Sequence, residues 1–202
     1  MTDIKRADLY SELAKTSYKL GRDLGGRKLP NINMGTPSVS SPDISLPNIS
    51  GGSGSQIYNQ WKQQYPETTK FGGSTLYERG GTHQGVDIAM PQGTPIKSLT
   101  SGTVVESQTG QTQDQSRPSF GNYIIVKTPD NKYVRYSHLD QVWKNIVGTE
   151  VKPGDVLGSE GNTGSTYSQQ PGGSGAHLDL RIWELWNNQK KYINPDIYFA
   201  NS

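Results

Sequence analysis

Short runs of strand-type residues, separated by turn residues, fill the chain from about residue 56 to its end. Several of these runs alternate apolar and polar side chains, as strands do when one face is covered. Pro, Gly, Asp and Asn cluster at 129–131 and 152–155, where tight turns are predicted. The clearest strand runs are 102–106, 123–127, 133–138, 155–158 and 177–183. The pattern predicts a mainly β domain over residues 56–202, with long loops between its strands.

The composition supports short strands over long packed helices. Hydrophobic residues make up only 31% of the 202 residues, while Gly and Pro number 24 and 12. This length allows one full domain with an appendage. The sequence shows no repeat of the length that solenoids and propellers use, which argues against those folds.

The first 55 residues have a different character. Apolar or aromatic side chains at Leu9, Leu13, Tyr18 and Leu20 roughly follow a helical period, which predicts an amphipathic helix or docking arm within 1–24. Residues 25–55 are rich in Gly, Pro, Ser and Asn, with little to bury. We therefore expect a linker there, or an arm that orders only on a partner.

Charge and cysteine content exclude several classes of partner. The 20 basic and 18 acidic residues are mixed along the chain, so no concentrated basic face for nucleic acid is expected. No apolar run is long enough for a signal-peptide core or a membrane span, so we expect neither. Since the chain has no cysteine, any metal must be held by histidine, carboxylate or water.

All three histidines of the chain lie in the β-rich part. His83 and Asp87 are separated by a short turn in which Gly85 allows the backbone to bend, so that an imidazole and a carboxylate can converge. Taken alone, this HxGxD pattern is weak. A surface histidine with a capping aspartate in a Gly-rich loop has the same sequence.

A second polar row is predicted on the strand that follows His177. Residues 177, 179 and 181 share one face of this strand, while the apolar residues between them occupy the other. The alternative is an exposed strand in which Asp179 and Arg181 form a weak surface ion pair. His138 ends another strand run, and a lone histidine in such a position is more often a packing or surface residue than a functional one.

The motifs become specific when they are taken in order along the chain. They are HxGxDIA at 83–89, GTPI at 93–96 with GTV at 102–104, GNYIIV at 121–126, YSHL at 136–139, VKPGDVLG at 151–158, GNTG at 161–164 and HLD at 177–179. Over about residues 75–199 this order resembles the lysostaphin-like, or M23, family of peptidoglycan endopeptidases. The resemblance implies a LytM-type antiparallel β-sheet domain.

The resemblance also implies roles for individual residues. In that family the His and Asp of HxxxD and the second His of an HxH strand hold Zn²⁺, with water in the open position. Carried over, His83 and Asp87 become metal ligands, and His138 and His177 become the catalytic pair. The second His of HxH is Asp179 in this chain, and a carboxylate is a competent zinc ligand.

The replacement at Asp179 leaves two alternatives open. A shell of one nitrogen and two carboxylates is more anionic, so it should raise the pKa of the bound water and suit Mn²⁺ as well as Zn²⁺. Alternatively, Arg181 neutralises Asp179 in a metal-free site, which would make the domain a catalytically inactive module.

The substrate groove is expected to be walled by loops, because an extended peptide must run past the metal. The predicted walls are 70–81, 109–120 and 166–175, which are too long to be simple turns. Tyr136 and Asn122 are candidate substrate-binding residues on this view. Both have an equally acceptable interpretation as packing or turn residues.

The sequence therefore predicts a metal-dependent endopeptidase that cuts peptidoglycan peptides. We expect it to be a virion component, carried by a phage tail to the cell wall and attached to tail proteins through residues 1–55. An exported bacterial protein is the alternative location. The alternative functions are an inactive LytM-like module that binds wall peptide, and a structural role in an assembly.

Overall fold

The computed structural model describes residues 52–74, 81–116, 119–145, 147–168 and 173–200. The helix predicted within 1–24 and nearly all of the predicted linker therefore lie outside the described residues. None of the described helices is both long and apolar enough to cross a membrane.

Eleven strands are assigned in the described part of the chain, and all pairings between them are antiparallel. They are β1 (Glu67–Thr69), β2 (Val86–Ile88), β3 (Pro95–Lys97), β4 (Gly102–Gln108), β5 (Asn122–Lys127), β6 (Lys132–Leu139), β7 (Gln141–Val142), β8 (Glu150–Val151), β9 (Val156–Ser159), β10 (Leu178–Trp186) and β11 (Gln189–Ile193). The five predicted runs correspond to β4, β5, β6, β9 and β10. The mainly β fold is therefore confirmed.

The strands form one large and one small sheet. The eight-stranded sheet has the order β1-β2-β10-β6-β5-β4-β8, with β11 paired to β10, and the small sheet has the order β3-β9-β7. In the large sheet β10 lies between β2 and β6. Strands that are distant in sequence are thus neighbours in space, and the three histidine-bearing segments meet around β10.

One face of this central region is the apolar core. Leu178 and Leu180 on β10, Ile88 on β2 and Val134 on β6 are all completely buried and belong to the same hydrophobic cluster. Burying a side chain of this size stabilises the fold by about 1.5–3 kcal/mol. Because side chains alternate along a strand, the residues between these apolar positions face the opposite side, where the candidate site lies.

Two helices cover the core: α1 (Gly54–Gln64) and α2 (Pro195–Ala200). Ser53 caps α1 in a capping box with Gln56, which satisfies backbone N–H groups at the helix start. Tyr58 of α1 packs its ring 4.8 Å from that of Phe199 of α2. Helix α1 was not predicted from the sequence, and it begins within the last residues of the predicted linker.

Candidate functional site

Asp87 and Asp179 face each other across two adjacent strands. Their Cα atoms are partners in the β2–β10 pairing, so both side chains lie on the face opposite the core. The turn before β2 carries His83 and runs close to β10. A Cβ added to Gly85 would lie 2.6 Å from the backbone oxygen of Leu180 and 3.0 Å from Asp179 Oδ1. Glycine is required there for close approach, and Asp179 Oδ1 faces the turn.

The three residues with predicted metal-ligand roles converge. One ligand atom from each of His83, Asp87 and Asp179 lies within 4.8 Å of the other two. His83 Nε2 is 3.1 Å from Asp87 Oδ1, close to the roughly 3.3 Å that separates ligand atoms around a tetrahedral zinc ion. Asp87 Oδ1 is enclosed and accepts no hydrogen bond from the described residues. The donor set and its spacing fit a divalent cation.

Arg181 forms a buried ion pair with Asp179. Arg181 Nε lies 2.8 and 2.9 Å from Asp179 Oδ1 and Oδ2, and Arg181 Nη2 lies 2.8 Å from Oδ2. The exposed surface pair considered from the sequence is therefore wrong, since both residues are buried. Burial alone would raise the pKa of Asp179, but the charge and hydrogen bonds of Arg181 outweigh it and lower that pKa well below its usual value.

Two histidines lie beside this donor set with their rings fixed by backbone carbonyls. His138 Nδ1 is 2.7 Å from the Thr163 oxygen, and His177 Nδ1 is 2.8 Å from the Gly175 oxygen. A carbonyl only accepts, so each Nδ1 carries a proton, and Nε2 is the nitrogen on which a neutral ring has its lone pair. The ring centroids are 4.7 Å apart.

His177 also approaches the donor set, with its Nε2 lying 3.8 Å from Asp87 Oδ1. The structure therefore brings all five predicted metal-binding and catalytic residues together. Sequence analysis did not identify the carbonyls of Thr163 and Gly175 as partners of the two rings. Backbone acceptors leave no signal in a sequence, because every residue carries one.

His138 reaches this face through a local distortion of β6. Strict alternation would place it on the core side with Tyr136. However, three steps along β6 oppose two along β5 between Tyr136 and Leu139, which is a β-bulge. Within it His138 has φ 65°, a left-handed conformation that non-glycine residues rarely adopt. The bulge turns the His138 ring toward His177.

Burial determines the charge state of His138. Its side chain is almost completely enclosed, and this burial, with the neighbouring His177, lowers the pKa of His138 to about 4. The ring is consequently neutral at pH 7. It can accept a proton at Nε2 but carries no standing positive charge.

The two predicted substrate-binding residues serve the fold. Tyr136 is completely buried in the core, where its hydroxyl accepts a hydrogen bond of 2.8 Å from the Leu99 N–H. The expectation that it lines a groove is wrong, because the core face of β6 has no access to solvent. Asn122 accepts from the Gln111 N–H at 2.8 Å and donates to the backbone oxygens of Leu139 and Asp140. The side-chain amide of Asn122 is therefore hydrogen-bonded to backbone groups of the protein itself.

A polar cleft of about 610 Å³ is lined in part by Thr163, whose backbone oxygen contacts the His138 ring, but by neither catalytic histidine. The other lining residues include 109–113, from the predicted wall loop 109–120, with Asp140 and Asn162, whereas none of the three candidate metal ligands lines the cleft. Parts of all three predicted wall loops, residues 75–80, 117–118 and 169–172, lie outside the described residues.

Known proteins share this domain. The model of Peptidase family M23 matches residues 81–195. Lysostaphin of Staphylococcus simulans is 35% identical over 113 residues, which are 55% of this chain and 21% of that protein. Peptidoglycan DD-endopeptidase ShyA of Vibrio cholerae is 31% identical over 129 residues, which are 59% of this chain and 26% of that protein. The chain thus spans about a quarter of the length of these curated relatives.

The fold agrees with a solved structure as well. The catalytic domain of lysostaphin from Staphylococcus simulans superposes with a TM-score of 0.54 at 28% identity, covering 70% of this chain and 96% of that domain. The family match extends over more than half of the chain and contains all five residues of the candidate site. The chain belongs to peptidase family M23.

Proposed function

We propose that this protein is a metal-dependent endopeptidase that hydrolyses peptide bonds of bacterial peptidoglycan. Membership of family M23 supports the peptidase class, and the name of one relative, a peptidoglycan DD-endopeptidase, supports the substrate. The observation that carries the proposal is the convergence of His83, Asp87 and Asp179 beside two oriented histidines.

In this proposal His83, Asp87 and Asp179 hold a zinc ion. Zinc bound there supplies Lewis acidity, which polarises the scissile carbonyl and makes an attacking water more acidic. Arg181 keeps Asp179 ionised and fixes its orientation by contacting both of its oxygens. Two carboxylates make the donor set more anionic than a set with two histidines, and the positive charge of Arg181 partly offsets this difference.

His138 and His177 accept and donate the protons that the reaction transfers. His138 is neutral, and its Nε2 lone pair accepts a proton from the attacking water while the water oxygen bonds to the peptide carbon. The C–N bond then breaks, and the leaving nitrogen receives a proton from the pair. His138 Nδ1 is hydrogen-bonded to the Thr163 oxygen, and His177 Nδ1 to the Gly175 oxygen. These bonds hold both rings in the tautomer that the proton transfers require. No covalent acyl-enzyme is involved.

Digestion of purified cell walls by the full chain tests this proposal. Release of new amino groups is expected from the zinc-loaded protein, loss of release after chelation, and recovery when Zn²⁺ is restored. A parallel arm with Mn²⁺ examines whether the carboxylate-rich set accepts an oxygen-preferring ion. Digestion that persists after the metal has been removed would contradict the proposal.

A second candidate function follows from the ion pair of Asp179 with Arg181. If this pair outcompetes a metal, the domain is a silent module that binds wall peptide without cutting it. Such a module would sediment with purified walls, contain no zinc after dialysis against it, and release no amino groups. Zinc retention together with digestion excludes this function.

We also propose that the protein acts as a phage tail component, attached to the virion through residues 1–55. The support is the amphipathic pattern of residues 1–24, followed by the Gly-, Pro- and Ser-rich stretch. Detection of the chain in purified particles, and its loss from particles when residues 1–24 are deleted, would test the attachment. Presence of the deleted form in particles at the same level would contradict it.

A further inference from the structure

Two arginines lie side by side on the face that carries the candidate metal ligands. Arg135 on β6 and Arg181 on β10 are Cα partners across the strands, and Arg181 follows Asp179 on the same face. Both guanidinium groups contact Phe120, at 3.4 Å from the ring centroid for Arg135 and 4.8 Å for Arg181. The carboxylate of Asp179 lies on the same face, and it is bound to Arg181.

Two of the three guanidinium nitrogens of Arg135 lack an acceptor among the described residues. Its side chain is 5% exposed, and its Nε and Nη2 atoms are enclosed without a hydrogen bond in the described part of the chain. Its contacts are with the rings of Phe120 and, at 5.9 Å, Trp183. Burial and the adjacent Arg181 lower the pKa of Arg135, although an arginine remains protonated at any physiological pH.

The contacts of Arg135 with aromatic rings compensate only partly for the burial of its charge. Removing a guanidinium from water costs more than a cation–π contact returns, unless hydrogen-bonded anionic partners replace the lost water. The five N–H groups of a guanidinium match a carboxylate, which accepts two of them side by side. An anion from outside the chain would supply what Arg135 lacks.

We propose that Arg135 and Phe120 form a subsite for a carboxylate group of the bound peptide. This inference rests on the proposed function and specifies its substrate class as a peptide with a free carboxylate near the cleaved bond. Arg135 lies opposite Arg181, which is two residues after Asp179 on β10. At 3.3–3.4 Å per residue, Arg135 is therefore displaced from Asp179 by about 7 Å along the strand direction. An extended peptide therefore places the carboxylate about two residues from the bond held at the metal ligands.

Phe120 gives this subsite its outer wall. Its ring is 36% exposed and stacks on the Arg135 guanidinium, so that side chain both shields the cation and reaches the surface. The backbone oxygen of Phe120 accepts the His138 N–H at 3.0 Å. The subsite is consequently connected to a catalytic histidine through one hydrogen bond.

The test compares two peptides that differ only in charge. N-acetyl-triglycine with a free carboxylate and its C-terminal amide are titrated into the metal-free full chain, and the Arg135 Nε–H signal is followed by NMR. We expect the carboxylate form to bind at least about 10-fold more tightly and to shift this signal. Arg135→Met should abolish the difference. Lys152→Met removes an equal charge from an exposed turn beyond the far edge of the sheet, and it should preserve the difference.

Thermal unfolding gives a second measurement that does not depend on binding affinity. Arg135→Met removes a buried cation without an acceptor, so its Tm should equal or exceed that of the wild type. The carboxylate peptide should raise the Tm of the wild type but not that of Arg135→Met. A clearly lower Tm for Arg135→Met would mean that Arg135 is a structural clamp on Phe120, and it would overturn the proposal.

These measurements separate the subsite from the proposed catalysis. Equal affinity for the two peptides, or discrimination that survives in Arg135→Met, overturns the subsite even if the protein digests walls. Discrimination that depends on Arg135 supports the subsite even if zinc-loaded protein releases no amino groups, in which case the proposed hydrolysis alone fails.

Discussion

Arg181 holds both carboxylate oxygens of Asp179 in a region where neither residue is more than 5% exposed. A buried carboxylate is tolerated only when its charge is matched, and this guanidinium provides the match through three contacts. The same contacts fix the Asp179 side chain on the face that carries Asp87. Arg181 is therefore a positioning residue for a candidate metal ligand.

Removal of Arg181 should destabilise the metal-free protein strongly. Arg181→Met leaves the charge of Asp179 buried without its hydrogen-bonded partner, so the free energy of unfolding is expected to fall by about 3–5 kcal/mol. Urea unfolding at pH 7 measures it. Lys191→Met is the control, because Lys191 pairs with Glu184 at 3.1 Å on the surface and should change stability by less than about 1 kcal/mol. Equal effects of the two variants would contradict the role of Arg181.

Metal content should depend on the side chain at position 179. Asp179→Ala removes one of three donors, so zinc affinity is expected to fall on the order of 100-fold or more. Asp179→His should retain zinc more tightly than the wild type, because it supplies a nitrogen donor without adding negative charge. Metal analysis after dialysis against a fixed zinc concentration compares them, with the exposed Asp140→Ala as control. Unchanged zinc in Asp179→Ala would exclude Asp179 as a ligand.

Much of the site was predictable because strand geometry is regular. Alternation along β10 indicates that residues 177 and 179 share a face, and the HxGxD spacing brings His83 toward Asp87. The position of His138 was not predictable in the same way. Alternation assigns it to the core side, and only the bulge with its positive φ reverses this. A bulge depends on how two strands pair, which the local sequence of one strand does not reveal.

Burial of polar residues was equally hard to predict. The sequence of β10 is as compatible with an exposed ion pair as with the enclosed one, because the difference arises from what covers the face. Tyr136 illustrates the reverse case, since it was a candidate for the substrate groove although it is buried in the core, where its hydroxyl accepts from the Leu99 N–H. Helix α1 was missed because Gly and Ser, which favour linkers, also begin and cap this helix.

Asn122 should contribute to stability through its amide. Asn122→Ala leaves the Gln111 N–H and the backbone oxygens of Leu139 and Asp140 without this partner, so the free energy of unfolding should fall by about 1–3 kcal/mol. Urea unfolding measures the loss. Asn145→Ala alters the same cleft at an exposed position and should stay within about 0.5 kcal/mol of the wild type. Comparable values for both variants would refute the structural role.

Burial of neutral His138 should make stability depend on pH. The pKa of His138 is about 4 in the folded protein and about 6.5 in the unfolded chain. Between these values the unfolded state binds more protons, so stability falls as the pH decreases from 7 to 4, by up to about 3 kcal/mol. His138→Asn, which tolerates the left-handed backbone, should remove this slope. Urea unfolding of metal-free protein at pH 7 and 5 measures it, and an unchanged slope in the variant would contradict the assignment.

The two histidines of the catalytic pair should affect turnover without affecting the metal. His177→Ala and His138→Ala are each expected to lower the rate of wall-peptide release by about 10²–10⁴-fold, while zinc content equals that of the wild type. His83→Ala should lose both zinc and activity, because His83 belongs to the donor set. The variant at 177 is the sharper test, since His177 Nε2 lies 3.8 Å from Asp87 Oδ1. Loss of zinc in His177→Ala would place His177 among the ligands, and an unchanged rate would remove it from the mechanism.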